Sequence, residues 1–478
     1  MAGHSHLRLP AEEPGDFGPR TLRFAAAAKV AGIAGLLLAL VLGFLSRDYF
    51  RTFYFAYLAA FGFFLSIAMG ALFFVLIQHV SRAGWSVNVR RVAENVAALL
   101  PILGILSLPI FVSVLIQKGD LYRWALPREV VEHEEHLEGK HDAQHVKAEA
   151  TESEELASMA GNQQIAPVRD WHGTEEFEHE PDAGHGNRRL DEKTLGKRAW
   201  LNPYFFCLRL VFYFVLWSGI ALFYLRHSTQ QDVDGDYRHT VAMQKYSGIS
   251  LVVFGLTLTT AAYDIFMSLD PSWYSTMFGV YYFAGGVVSF FALLALLCVV
   301  LQRFGFLREA VTTEHYHDIG KFMFAFTFFW GYIAFAQYML LWYSSIPEEV
   351  TWWARRGANT SKIGPAYGHE WIPWAIMCLF GCLLIPFAGL LSRHVKRNTK
   401  SLVFWCVWIL VFQFCNSVWT VLPELREGFR YGALGLAIIA MIGIGGVLTV
   451  SWLRLTANSK VRPMNDPRAF ESAAFVNI

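Results

Sequence analysis

The sequence is short of charge. Asp, Glu, Lys and Arg make up 17% of its 478 residues, against about 25% in a soluble globular chain. Hydrophobic residues reach 54% and aromatics 16%, with mean hydropathy +0.34. Such a composition cannot supply a water-facing surface, so lipid is the expected solvent for most of the chain.

Cysteine is scarce as well. The six cysteines (Cys207, Cys298, Cys378, Cys382, Cys406 and Cys415) all fall in apolar runs. None belongs to a C-x-x-C pair, a C-x-x-C-H haem-attachment motif or a ferredoxin-type ladder. The chain is therefore expected to carry no iron–sulfur cluster, no c-type haem and no metal of its own. Histidine is nearly missing from the apolar runs, with only His79 closing the second and His369 opening the eighth. A transmembrane dihaem cytochrome needs histidines paired across helices, so intramembrane haem is not expected. Residues 1–23 are polar, contain Pro10, Pro14 and Pro19, and lack the apolar core and cleavage site of a signal peptide. The first apolar run is thus expected to be retained. Alternating-polarity strands of barrel type are absent too.

What is present is ten apolar runs near the length of about 20 residues that a membrane helix needs. They are 24–45, 53–79, 93–116, 204–225, 246–268, 276–302, 319–344, 369–391, 401–422 and 431–453. An all-α polytopic membrane protein of ten transmembrane helices is expected. Its parts would be a cytoplasmic tail 1–23, spans one to three in 24–116, a loop 117–203, spans four to ten in 204–453 and a cytoplasmic tail 454–478. Pro101, Pro109 and Pro386 fall inside spans and are expected to kink or break them.

Orientation follows the positive-inside rule. The short loops on the side of both termini carry Arg82, Arg90, Arg91, Arg226, Arg238, Lys245, Arg303, Arg308, Arg393, Lys396, Arg397 and Lys400. Those on the other side carry Arg47, Arg51, Arg355, Arg356, Lys362, Arg426 and Arg430. Termini in the cytoplasm are expected, with Trp273, Trp342, Trp352, Trp353, Trp371 and Trp374 forming an aromatic belt at the outer interface.

The near-neutral total of +1 conceals a strong polarity. Residues 129–182 hold 16 acidic side chains against Lys140, Lys147 and Arg169, a net 3 − 16 = −13. The loop also holds His133, His136, His141, His145, His172, His179 and His185, without a repeated metal-ligand spacing. It has too little apolar content to pack alone and is suited to docking basic or histidine-bearing partners. Nucleic acid is not an expected partner.

Polar groups inside the spans are costly and so are candidates for function. Asp264 in span five is the sharpest. It lies six residues before Asp270, with Arg209 of span four at similar depth, and the two are expected to pair. Tyr263, Gln337, Gln413 and Asn416 share the outer half. An inner group comprises His79, Glu94, Asn95, His315, His317, Asp318 and Lys321. Capping and interhelical hydrogen bonding account for such residues in one reading. In the other they form two polar half-paths that hold water and relay protons, separated by an apolar middle.

Two stretches are distinctive, Tyr263–Gly286 (YDIFMSLDPSWYSTMFGVYYFAGG) and His315–Glu349, which begins HYHDIGKF. Both resemble the NrfD/polysulfide-reductase-type membrane subunits of bacterial alternative complex III. The chain is most similar to the second of the two such subunits in that complex. The resemblance implies two four-helix bundles, spans two to five and six to nine, flanked by spans one and ten. It also implies the bacterial cytoplasmic membrane and a place in menaquinol oxidation coupled to reduction of a periplasmic cytochrome c or similar carrier. The implied partners are the sister subunit, an iron–sulfur protein and c-type cytochromes, with a terminal oxidase as a further neighbour. The clusters and haems belong to those partners.

The expected contribution of this chain is proton translocation or energy coupling rather than redox chemistry. Direct menaquinol binding near Asp264 and Arg209 is the alternative within the same complex. The family's quinol pockets offer an intramembrane histidine on the periplasmic side, and none is present here. A stand-alone secondary transporter or a purely structural scaffold are the remaining readings. The first lacks a pair of Gly/Pro-broken spans in corresponding halves.

Overall fold

The computed structural model describes residues 19–46, 48, 50–116, 121–125, 196–344, 346–357, 366–426 and 429–476. The acidic segment 129–182 and its histidines lie outside the described residues. Ten helices are long and apolar enough to cross a membrane. They are α1 (Thr21–Leu45), α2 (Arg51–Val80), α3 (Val87–Ile116), α4 (Pro203–Asp234), α5 (Arg238–Leu269), α6 (Phe278–Arg303), α7 (Thr313–Ser344), α8 (His369–Leu390), α9 (Thr399–Leu425) and α10 (Tyr431–Ala457). The protein is a multi-pass, all-α membrane protein, with no β-strand among the described residues.

Local chemistry sets the helix ends. Asn202 caps α4, its side-chain oxygen accepting from the amides of Tyr204 at 3.0 Å and Phe205 at 3.3 Å, with Pro203 as the first helical residue. Gly235 at φ 68° ends the same helix in the left-handed conformation. Asn398 caps α9 in the same manner as Asn202. Helices α4, α5 and α7 run further than apolar content predicts, so His227, His239, His315 and His317 are helical. The prolines act as expected. Helix α3 is interrupted around Ala98–Leu99 before Pro101 and at Ser107 before Pro109. In α8 a π-helical stretch, Leu379–Leu384, stands directly before Ile385–Pro386.

Helices α2, α3, α4 and α5 pack in a ring, as do α6, α7, α8 and α9. The rings meet where α2 packs on α6 and α9, and α2 and α6 are the most enclosed spans. Helices α1 and α10 flank them, paired with each other, with α10 against α2. Both joints depend on missing side chains. A Cβ on Gly286 would lie 2.4 Å from the Ser66 carbonyl oxygen, and one on Gly70 would lie 2.6 Å from the Gly286 carbonyl oxygen. Between α1 and α10, a Cβ on Gly446 would lie 2.5 Å from the Gly32 Cα. Small residues at such positions let backbones approach closely in lipid, where no hydrophobic force pulls helices together.

We call the side on which the segment after α10 packs the C-terminal face. On the opposite face the expected tryptophan belt is corrected. Trp342 is exposed, but Trp273, Trp352, Trp353 and Trp371 are buried. Trp273 and Trp352 stack with centroids 4.3 Å apart, and Trp353 and Trp419 pack edge-on against Trp352. Residues 346–357, between α7 and α8, fold inward over the bundle and bring Trp352 and Trp353 against Trp273 and Trp419, so these rings plug the bundle end.

Candidate functional site

The expected Arg209–Asp264 pair is present, inside the first ring. Arg209 donates through Nε to Asp264 Oδ2 at 2.8 Å and through Nη2 to Oδ1 at 2.9 Å. Tyr213 Oη donates to Oδ2 and Trp200 Nε1 to Oδ1, both at 2.8 Å. Four donors thus occupy both carboxylate oxygens, and the residue is 1% exposed. The guanidinium also donates to the Trp200 carbonyl and lies 4.2 Å from the Trp200 ring centroid. Asp264 stands in the last turn of the regular part of α5, which ends at Ile265. Tyr122 closes the site by donating to the Ile265 carbonyl oxygen at 2.8 Å. Burial and the nearby Asp264 charge hold the Tyr122 phenol well above its ordinary range. Tyr263 points elsewhere, donating to the Thr276 carbonyl oxygen at 2.7 Å.

Gln413 and Asn416 belong to a different place, at the joint of the two rings. Tyr281 Oη donates to Asn416 Oδ1, and Asn416 Nδ2 to Gln413 Oε1 at 3.4 Å. With Ser66, Gly285 and Thr420 they line a cavity of about 40 Å³. That is room for a few water molecules, given a minimum near 10–15 Å³ for one, and the walls are polar enough to hold them. Gly285 permits the convergence, since a Cβ there would lie 3.1 Å from Gln413 Oε1 and 3.5 Å from the Trp330 indole.

Helix α7 extends this polarity along the second ring. Thr327 Oγ1, Trp330 Nε1 and Gln337 Nε2 are buried without a hydrogen-bond partner. Their spacings of three and seven residues put them on one helix face over about 15 Å of rise. Buried polar atoms are normally satisfied, and ordered water is the usual partner when protein is not. The middle of the second ring is therefore less apolar than the run of aromatic residues in α7 suggests.

Each end of that ring carries charge. On the opposite face, Arg355 pairs with Asp270 and with Glu424, and Arg356 Nη2 lies 2.8 Å from Glu424 Oε1. Arg356 also donates to the carbonyl of Thr420, a wall of the cavity, at 2.6 Å. Its guanidinium covers the Trp352 ring at 3.4 Å, and burial beside Arg355 pushes its pKa down to about 10 despite Glu424. At the C-terminal face, Asp318 pairs with Lys321, and Lys396 Nζ donates to the carbonyls of Leu390 at 2.9 Å and Leu391 at 3.3 Å. Burial, helped by the Lys321 charge, lowers the Lys396 pKa. His317 Nδ1 is buried there without a partner.

Matched against family models and against curated proteins, the chain has no counterpart.

The remaining residues of the expected inner group separate. Glu94 is gripped by Arg90 at 3.3 Å and Arg91 at 3.0 Å. Arg90 also pairs with Asp466, and Arg91 with Asp232 at 2.7 Å. This network fastens α3 and α4 to the segment after α10. His315 serves the same fastening. Its Nδ1 accepts from the Thr312 amide at 3.2 Å, which leaves Nε2–H to donate to Ser472 Oγ at 3.2 Å. His79 differs, for its Nε2 is buried and unpartnered and its ring lies 5.3 Å from that of Tyr224. Asn95 donates to Thr456 Oγ1 at 3.2 Å, while its own Oδ1 lacks a partner. Among the described residues no cluster of His, Cys, Asp and Glu is arranged to hold a metal ion.

Sequence reasoning missed Tyr281, Thr327, Trp330, Asp270, Arg355, Arg356 and Glu424. The first three sit in aromatic or apolar runs. The two arginines read as loop charges, since only the inward fold of residues 346–357 buries them. A signal was available in Glu424, an acidic residue two positions after the apolar run 401–422 and beside Pro423.

Proposed function

We propose that this chain is an integral membrane subunit of a quinol:cytochrome c, or equivalent periplasmic carrier, oxidoreductase complex of the bacterial cytoplasmic membrane. Its role there is proton translocation coupled to electron transfer in neighbouring subunits. The C-terminal face is the cytoplasmic one, as the Lys/Arg distribution favours. Sister-subunit, iron–sulfur and c-type cytochrome partners supply the redox centres, and menaquinol is the reductant.

One observation carries the proton role. The second ring combines a water-sized polar cavity at Tyr281, Gln413 and Asn416 with unpartnered Thr327, Trp330 and Gln337. Charged groups stand at both ends of that line: Glu424 and Arg356 on one face, Asp318, Lys321 and Lys396 on the other. Water among these groups supplies the donors and acceptors that a proton relay requires. Asp264 lies outside this line, and its two oxygens are already filled by four donors.

The complex itself is tested by purification. The tagged chain, solubilised gently from its native membrane, brings c-type haem absorbance and an iron–sulfur protein with it. Recovery of a lone, haem-free chain under conditions that preserve other respiratory complexes contradicts the proposal.

A further inference from the structure

A second cavity, of about 430 Å³, opens between α1, α2, α3, α6 and α10. Its walls include Phe24, Ala68, Leu103, Leu297, Phe304 and Trp452. Along α10 it runs from Ile442 to Leu453, about 16 Å of helix rise. That is close to half of a hydrocarbon core of about 30 Å, the depth of one leaflet. The walls are apolar apart from Thr449 and Trp452. Thr449 Oγ1 is committed to the Gly445 carbonyl oxygen at 2.7 Å, whereas Trp452 is 6% exposed and its Nε1–H has no acceptor. Trp452 stands five residues before the end of α10, and tryptophans near span ends favour the membrane interface, where the ester groups of a lipid lie. Three arginines, Arg23, Arg303 and Arg454, are the chain neighbours of the wall residues Phe24, Phe304 and Leu453. All three are exposed at the C-terminal face, and none is ion-paired among the described residues.

The geometry points to a binding site for one anionic phospholipid. An acyl chain fills the leaflet-deep cavity, an ester carbonyl accepts from Trp452 Nε1–H, and the phosphate rests among Arg23, Arg303 and Arg454. An isoprenoid quinone fits less well. Its ring carries two opposed carbonyls, and the cavity below Trp452 offers no second free donor. Charge complementarity at the rim selects a phosphate head group without a compensating cation, since basic residues near a membrane surface attract anionic lipid.

The test uses full-length protein, delipidated and then incubated with phosphatidylglycerol or phosphatidylcholine vesicles, with retained lipid counted by native mass spectrometry. A single phosphatidylglycerol is retained in preference to phosphatidylcholine. Replacing Arg303→Gln together with Arg454→Gln weakens phosphatidylglycerol retention about tenfold or more and leaves phosphatidylcholine unchanged. Trp452→Phe keeps the packing and weakens both lipids about fivefold. Ala68→Trp fills the cavity and removes the retained lipid. Equal retention of the two lipids, unaffected by the arginine and Trp452 changes, means annular lipid only and overturns the proposal. So does an isoprenoid quinone that co-purifies and is displaced by Ala68→Trp.

Discussion

Arg209 and Asp264 meet through two parallel hydrogen bonds of 2.8 and 2.9 Å, on helices α4 and α5, with both side chains buried. Such a fork is among the stronger charge-assisted contacts, and in a site without bulk water neither partner tolerates loss of the other. Because Trp200 and Tyr213 fill the remaining acceptor positions, the carboxylate also fixes the chain that enters α4.

Removing the acid therefore damages stability first. Asp264→Ala leaves Arg209 buried without a counter-charge and costs about 3–5 kcal/mol. Asp264→Asn, which keeps an acceptor, costs less. Thermal unfolding in detergent measures both. A midpoint unchanged in Asp264→Ala would show that the pair does not hold α4 to α5.

The joint between the rings is equally open to test. Gly286→Leu puts a side chain where even a Cβ lies 2.4 Å from the Ser66 carbonyl oxygen. The two backbones must separate, and the cavity beside Gly285 and Gly286 opens with them. We expect loss of folded protein in membranes for Gly286→Leu and near-normal yield for Gly255→Leu, a glycine with open space around it. Fluorescence-detected size exclusion of the two variants distinguishes them, and equal yields would contradict the close approach.

Lys396 carries a pH signature. Burial and the neighbouring Lys321 lower its pKa from the ordinary 10.5. The folded state thus holds fewer protons than the unfolded one between the lowered value and 10.5, and stability rises with pH across that window. Lys396→Met removes this rise while retaining the packing of the side-chain stem against Gly320. Unfolding midpoints of the two proteins, measured up to pH 10.5, should converge as pH rises. Parallel curves would mean that Lys396 titrates as a solvated lysine.

Much of this architecture is legible in the sequence, because lipid imposes length and apolarity on every span. The Arg209–Asp264 pair is legible for a related reason, since two opposite charges at equal depth in consecutive spans have few other partners. The site at the ring joint is less so. Gln413 and Asn416 stand out as polar residues in an apolar run, but Tyr281 and Trp330 are indistinguishable by type from packing aromatics such as Phe291 and Phe322, which stack at 4.9 Å. Only the glycines at 285 and 286 separate the two cases, and their effect depends on which helix lies opposite. Arg355, Arg356 and Glu424 escape notice because burial of a loop is a tertiary outcome. Glu94 and His315 show the converse, for polar residues at a span end proved to be fasteners of the segment after α10.

We propose that protons cross the second ring by way of the Tyr281–Asn416–Gln413 cavity. The most direct measurement is the number of protons moved per electron in proteoliposomes holding the whole complex, for the wild type and for Asn416→Leu with Gln413→Leu. We predict that the double variant oxidises quinol at a rate close to wild type but moves clearly fewer protons per electron. An unchanged proton-to-electron ratio, in a variant shown to be assembled and to oxidise quinol, would exclude this cavity as the proton route.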